Sequence, residues 1–512
     1  MKKWIQSVSR VIALVDQRPM LVLPVWIAAY VLVFWRAASR PFWYDELFSY
    51  YTSLSPSFER FIYCILHIDL HPPLQYFFIR LSVEIFGDTP FAVRLPFLLA
   101  FLVASLVAFR LVTERWGGAL GLVTLGFFWS LSFSTYAVEA RPYAILLAFF
   151  SLATLCWLRA AGQPYWTRMH TGLVLSLSAM VLTHCFSPTL ALALMAGEAA
   201  RTIVERKIDK RTWVALLAPL SLVAIYIPLV RNAQALAYPA AFHADPLMIP
   251  YFYYAIAIPL LPVIGILFLL VLWATIPSAK RTQTIPVSPK FHEMVFCVTA
   301  LLSPALIICY TVWSGVPFWL RYGVGSTLPA AFLLTLVFSW ASRRNTAAAL
   351  AMAVLILALF VSRRAGTNNL MARFENVNPA YRTVHSQLPF VAASGLAFLE
   401  LDHNESDQFT SRLFYLTDLE SAIRYAHASI FEGCPVLKRT FPVRANVQAY
   451  NDFVMNHHQF LVLGTPKHPE DWLLEKLRDD GGRIELIMDG KFGYRDQKLF
   501  IVTMDKALPR AD

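Results

Sequence analysis

Charge is the first thing this sequence is short of. Only 15% of its 512 residues are Asp, Glu, Lys or Arg, whereas soluble domains average about 25%, which excludes a wholly water-exposed globule. Cysteine is sparse and irregular. The six residues Cys64, Cys156, Cys185, Cys297, Cys309 and Cys434 form no CxxC pair and repeat no spacing, so neither a disulfide framework nor a zinc cluster is indicated. Internal repeats and low-complexity segments are missing as well. The first apolar run is not followed by a small-residue cleavage pattern. It comes after a long basic flank (Lys2, Lys3, Arg10, Arg18), so it reads as a retained span and not as a removed signal peptide.

Long apolar runs are plentiful, and 57% of the chain is hydrophobic. A helix needs about 20 mostly apolar residues to cross the hydrocarbon core of a bilayer. Eleven spans can be placed, at 20–36, 88–110, 117–135, 142–159, 170–186, 188–200, 213–231, 250–275, 293–313, 322–341 and 346–362; the sixth is the shortest, and the pair flanking Ser187-Pro188 reads either as two spans or as a re-entrant hairpin. The sequence therefore predicts a polytopic α-helical membrane protein. Placing the N-terminus in the cytoplasm puts Lys2, Lys3, Arg10, Arg18 and the clusters at 201–211, 280–290 and 343–344 inside. Over all loops this gives 18 basic residues inside against 8 outside, with Arg363 and Arg364 dissenting locally. An odd number of spans puts the C-terminus outside. The net charge of +11 follows from this topology and calls for no nucleic-acid partner.

Two pieces lie on the predicted outer face. The first is the loop 37–87, where SPSFERFIYCIL and HPPLQYFFIRL each carry an apolar stripe (Phe58, Phe61, Ile62, Ile65; Leu74, Phe77, Phe78, Leu81). They are too short to span, and they predict helices lying in the membrane interface. The second is residues 363–512, where charge becomes ordinary. Strand-like runs (VAASGLAFLEL, HQFLVLGT, GRIELIMDG, KLFIVTM) alternate there with helical ones (DLESAIRYAHAS, AYNDFVMNH, PEDWLLEKLRDDGG). The last helix starts near Pro469 and stops at Gly481-Gly482. About 150 residues suffice for one soluble α/β domain, so the chain divides into a membrane module, 1–362, and an extracytoplasmic domain, 363–512.

Chemistry concentrates at the outer ends of the spans. In RPFWYDELFSYYTS, Asp45 and Glu46 sit among six aromatic rings directly after the first span. Neighbours on a helix diverge by about 100°, so the two acids have unequal duties: one faces the reacting centre, and the other holds a helix terminus, a cation or a neighbour. Arg141 in YAVEARPYAI, with Tyr143 beside it, and Arg321-Tyr322 in PFWLRYGVGS offer guanidinium forks that match phosphate oxygens. His184 in VLTHCFSP and His71 at the start of HPPL stand at the same face, as do Glu139, His67 and Asp69. The H-x-D-x-H spacing of His67, Asp69 and His71 would share a face only on a strand, and it falls between two helices. These residues therefore read as lining a cavity, not as a metal site.

WYDELFSYY in the first outer loop, then HPPLQYFFIRL, EARPYAILL at a fourth span and RY before a late span resemble the glycosyltransferase family 39-like membrane enzymes of GT-C fold. That group includes RgtA/B/C/D-like, dolichyl-phosphate-mannose protein mannosyltransferase-like and aminoarabinose lipid A transferase-like proteins. The resemblance covers about residues 20–340 by pattern and order. It implies transfer of a sugar from a polyprenyl-phosphate donor to a lipid, glycan or protein acceptor, outside the bacterial cytoplasmic (inner) membrane, with inversion at the anomeric carbon. Asp45 would be the base and Glu46 its partner. His71, Arg141, Tyr143, His184, Arg321 and Tyr322 would be substrate-binding residues. Members differ in metal dependence, so no residue is assigned to a divalent ion and none is excluded. Two other readings involve the same carriers: a flippase or transporter of polyprenyl-linked glycans, and a surface-glycan ligase or polymerase. A flippase would show repeats and midplane charges, and a ligase a large outer loop late in the chain.

Overall fold

The computed structural model describes residues 2–236, 243–275, 288–362, 379–429, 434–468, 471–492 and 495–504. Pro469, Lys280, Arg281, Arg363 and Arg364, and with them the division at 362/363, lie outside the described residues or at their edge. The membrane module is helical: α1 (Lys2–Gln17), α2 (Leu23–Ala38), α3 (Tyr44–Ser53), α4 (Phe58–Cys64), α5 (Leu74–Phe86), α6 (Pro90–Trp116), α7 (Gly118–Ser130), α8 (Tyr143–Ala160), α9 (Arg168–Val181), α10 (Ser187–Glu205), α11 (Lys210–Leu217), α12 (Tyr226–Gln234), α13 (Met248–Ala257), α14 (Leu261–Thr275), α15 (Phe291–Ser314), α16 (Thr327–Ala341) and α17 (Thr346–Ser362). The eleven predicted windows fall largely on these helices. By length and composition, however, six segments among the described residues can cross a membrane. The number is seven if α7 and the 3-10 turn Ser132–Val138, bent by 75°, form one span. α2 and α17 are shorter apolar helices.

The basic flank before the first span is itself a helix, α1. Its Asp16 accepts the Ala119 amide hydrogen at 2.8 Å and so closes the start of α7. A Cβ on Gly118 would meet the Asp16 carbonyl oxygen at 2.5 Å, so that close approach requires glycine.

The loop 37–87, predicted to lie outside, folds as α3, α4, a π-turn (Ile65–Asp69) and α5. Ser57 caps α4 by accepting from Arg60 N, and Leu70 takes a left-handed conformation before Pro72-Pro73. On α5 the predicted apolar stripe is not the buried face. Gln75, Tyr76, Ile79 and Ser82 are buried, while Phe77 and Leu81 are exposed. Tyr76 donates to the Asp69 carboxylate at 2.7 Å, which turns that polar side inward and leaves the apolar stripe available to lipid.

The C-terminal domain carries a six-stranded sheet in the order β3-β2-β1-β4-β6-β5. β1 (Phe390–Ala392), β2 (Leu413–Thr417), β3 (Asn446–Ala449) and β4 (Gln459–Gly464) run parallel, while β6 (Arg495–Met504) and β5 (Gly482–Phe492) are antiparallel. VAASGLAFLEL is therefore mostly not strand: only β1 pairs, and the rest is helix α18 (Gly395–Asn404). Ser394 starts that helix by accepting from Leu396 N at 3.3 Å. The last predicted helix is confined to Leu473–Asp479 and ends before Gly481, whose φ is +80°. α18 packs on α3, so the domain sits directly on the helix that carries Asp45 and Glu46.

Candidate functional site

The two adjacent acids go separate ways. Glu46 is fully buried and does not line the cavity described below. It receives Arg94 Nε at 2.7 Å and Nη2 at 2.6 Å, together with the Ala140 amide at 2.9 Å. The remaining N–H groups of Arg94 reach the carbonyls of Ala38, Arg40 and Pro41. One guanidinium from α6 thus fastens the end of α2, the turn after it and the first turn of α3. Burial alone would raise the Glu46 carboxyl. Arg94 and Arg40 outweigh it and hold the group below the ordinary carboxylate range.

Asp45, one residue earlier, lines the cavity. Its Oδ2 pairs with Arg321 Nη1 at 2.6 Å, and its backbone carbonyl accepts from Arg141 Nη1 at 3.0 Å. Arg321 lies in the 3-10 turn Leu320–Ser326, with its guanidinium carbon 5.3 to 5.9 Å from the Trp319, Tyr143 and Trp43 rings. Arg141 is buried in the loop before α8. It holds Asp69 Oδ1 at 2.8 Å and Ser49 Oγ at 2.9 Å, with His71 at 3.4 Å from Nη2. Nε of Arg141, Nε of Arg321 and the Tyr143 hydroxyl are buried without a hydrogen-bond partner among the described residues.

Asp69 accepts from Arg141, Tyr76 and Ser49. Burial would raise it, but Arg141 and His71 reverse that and hold it far below its ordinary value. Because the folded value is depressed, the stabilisation is fully present above the unfolded value near 3.8 and is lost as pH falls through the folded one. Thermal unfolding in detergent, followed from neutral pH to below about pH 2, should show a midpoint that falls on the acid side of the unfolded value. Asp69→Asn should flatten that acid limb; an unchanged limb would rule out this assignment. Glu139 behaves oppositely. Burial first, with Glu46 and Asp45 adding to it against Arg40 and Arg321, pushes its carboxyl up to about 7.

The cavity has a volume of about 910 Å³. Asp45, Asp69, His71, Arg141, His184, Arg321 and Tyr322 are among its polar lining, as are Arg231 and Gln234. Val223, Ile227, Val230 and Leu229 on one side, and Leu306, Ile307 and Tyr310 on the other, make apolar walls, and Leu396 of α18 also reaches it. Of the sequence-predicted residues, the cavity gathers Asp45, His71, Arg141, His184, Arg321 and Tyr322. The Tyr143 ring packs 5.5 Å from His184 and 5.8 Å from Arg321 without lining the cavity, and Glu46 is turned away from it. Among the described residues no group of three or more His, Cys, Asp or Glu side chains is placed to hold a metal ion. Sequence reasoning missed Arg94, which an arginine near the start of an apolar helix could have signalled.

Residues 70–230 match the family model described as dolichyl-phosphate-mannose-protein mannosyltransferase. Among solved structures, ArnT from Cupriavidus metallidurans bound to undecaprenyl phosphate aligns with a TM-score of 0.52 at 11% identity, and its apo state with 0.54 at 12%. Each alignment covers 94% of this chain and 98% of that one. No curated protein matches the chain. The chain has the GT-C fold of membrane glycosyltransferases, and the structures it is similar to include an ArnT.

Proposed function

We propose that this protein transfers a sugar from a polyprenyl-phosphate donor to a hydroxyl- or amine-bearing acceptor, on the extracytoplasmic side of a bacterial inner membrane. The observation that carries the reading is the joining, in one apolar-walled cavity, of the Asp45 carboxylate with two guanidinium groups that keep buried N–H donors unsatisfied. An unsatisfied buried donor costs about 1–3 kcal/mol, and anionic oxygens of a lipid phosphate would relieve it. The undecaprenyl phosphate of the similar ArnT structure supports a carrier of this kind, and the walls of α12 and α15 suit its tail. The outward orientation rests on the distribution of basic residues.

In this reading the acceptor O–H or N–H gives its proton to Asp45 as the acceptor atom bonds to the anomeric carbon. The bond from that carbon to the phosphate oxygen breaks, and its electron pair leaves with the phosphate. Arg321 and Arg141 stabilise the charge that develops there. Attack opposite the leaving phosphate inverts the anomeric centre. Asp69 and His71 hold Arg141 in place. Glu46 takes no proton: its part is to fix the turn that presents Asp45.

Arg321→Gln should weaken donor binding. A hydrogen bond to a charged group contributes about 1.5–3 kcal/mol, so a rise of roughly ten- to a hundredfold in donor KM is expected. Arg321→Lys should recover little, because an ammonium lacks the fork. Steady-state kinetics on purified protein in nanodiscs measures this, and an unchanged donor KM in Arg321→Gln would overturn the assignment.

A further inference from the structure

The C-terminal domain is joined to the membrane module far from the first outer loop in sequence, yet it makes specific contacts with α3. Glu400 Oε1, on α18, accepts the Tyr44 amide hydrogen at 2.9 Å. Tyr44 is the first residue of α3, and Asp45 follows it. A second contact lies two turns further along α3, where Tyr51 Oη and His403 Nδ1 are 2.7 Å apart. The His403 ring lies 5.6 Å from both Phe42 and Tyr50, so it fills an aromatic cage built by the segment before α3 and by α3 itself. Phe441 packs on Tyr51 at 5.0 Å and on Phe48 at 6.0 Å. The partly buried Tyr44 ring packs against the core of the domain. α3 is thus held from one side by Arg94 through Glu46 and from the other by α18.

These contacts bear on the reaction because of where they fall. The first four amides of a helix lack intrahelical acceptors, and a carboxylate there both satisfies an amide and complements the positive end of the helix dipole. The N-cap residue of α3 is Trp43, whose indole N–H can only donate and so cannot accept a first-turn amide. Glu46 reaches back to the Trp43 amide at 3.4 Å, and the Tyr44 amide is served from the other domain. We infer that Glu400 is a positioning residue for the transfer reaction: through the Tyr44 amide it sets the first turn of α3, and with it the direction of the Asp45 carboxylate. The inference rests on Asp45 being the base. It gives the C-terminal domain a part in catalysis distinct from acceptor binding, with His403 and Phe441 as the second half of the same clamp.

The test uses full-length protein in nanodiscs, with Glu400→Ala and Glu400→Gln. Amide hydrogen exchange should be about tenfold faster over residues 44–53 in Glu400→Ala and unchanged over α6. The second readout is turnover of the donor that the wild type uses, drawn from undecaprenyl phosphate linked to glucose, galactose, mannose, arabinose or aminoarabinose. There kcat should fall about tenfold, while KM and the affinity for undecaprenyl phosphate itself stay within about twofold. Glu400→Gln keeps a carbonyl acceptor for Tyr44 N–H and should recover most of the rate. In an Asp45→Asn background, Glu400→Ala should cost nothing further. The clamp is overturned by a wild-type kcat in Glu400→Ala, or by equal losses in both variants with faster exchange throughout the chain. Failure of the base assignment looks different: Asp45→Asn then turns over normally, while α3 exchange still reports whether Glu400 holds the helix.

Discussion

Asp45→Asn should slow transfer about 10²- to 10⁴-fold while leaving the protein folded. General-base catalysis by a positioned side chain contributes about 10²- to 10⁴-fold, and an amide of the same shape cannot take the proton. The loss should appear in kcat, because the cavity walls and Arg141, which hold the donor, are untouched. Asp45 is itself buried and pairs with Arg321 at the cavity wall, so a lowered thermal midpoint should accompany the lost activity, by less than in Glu46→Gln, whose pair is fully enclosed. Turnover by purified Asp45→Asn at the wild-type rate would remove this carboxylate from the mechanism. The contrast with its neighbour makes the result specific, since both variants remove one negative charge at consecutive positions.

Glu46→Gln should fail for the opposite reason. Both side chains of the Glu46–Arg94 pair are fully buried, and removing one partner of such a pair typically costs about 3–5 kcal/mol, because the other charge is left uncompensated. The variant should yield little monodisperse protein, with a lowered unfolding midpoint by tryptophan fluorescence. Pairing it with Arg94→Met removes both charges and should recover part of the loss, though the carbonyls of Ala38, Arg40 and Pro41 then lose a donor. Normal stability in Glu46→Gln would mean that the ion pair is not what fixes the turn.

That these two acids part ways, one to the cavity and one to Arg94, was legible in outline in the sequence, because helical neighbours face different ways whatever surrounds them. Their partners were not. Arg94 is 48 positions from Glu46 and Arg321 is 276 positions from Asp45, and periodicity carries no information about contacts at that range. The apolar windows were readable because hydrocarbon imposes length and composition directly. Bends such as the one after Ser130 are set by packing and were not readable. In the C-terminal domain β2 and β3, of five and four residues, were missed because short runs hold too few alternations to distinguish strand from helix. VAASGLAFLEL was read as strand although Ser394-Gly395 inside it marks a helix start, a signal that the continuous apolar run obscured. The exposed stripe of α5 follows from Tyr76 having a buried carboxylate to serve, which no stripe-counting rule weighs.

The bond between Tyr44 and Glu400 spans 356 positions, and this gives the chain a timetable. α3 leaves the ribosome early, while the residue that completes its first turn comes near the end of synthesis. Until α18 has folded against it, the loop carrying Asp45 lacks its last support. A chain cut short before residue 400 would therefore hold a complete set of polar cavity residues and still be poorly set for turnover. If Glu400 sets Asp45 as inferred, competence arrives with the final domain, and a half-made molecule in the membrane would not turn over the proposed lipid-linked sugar.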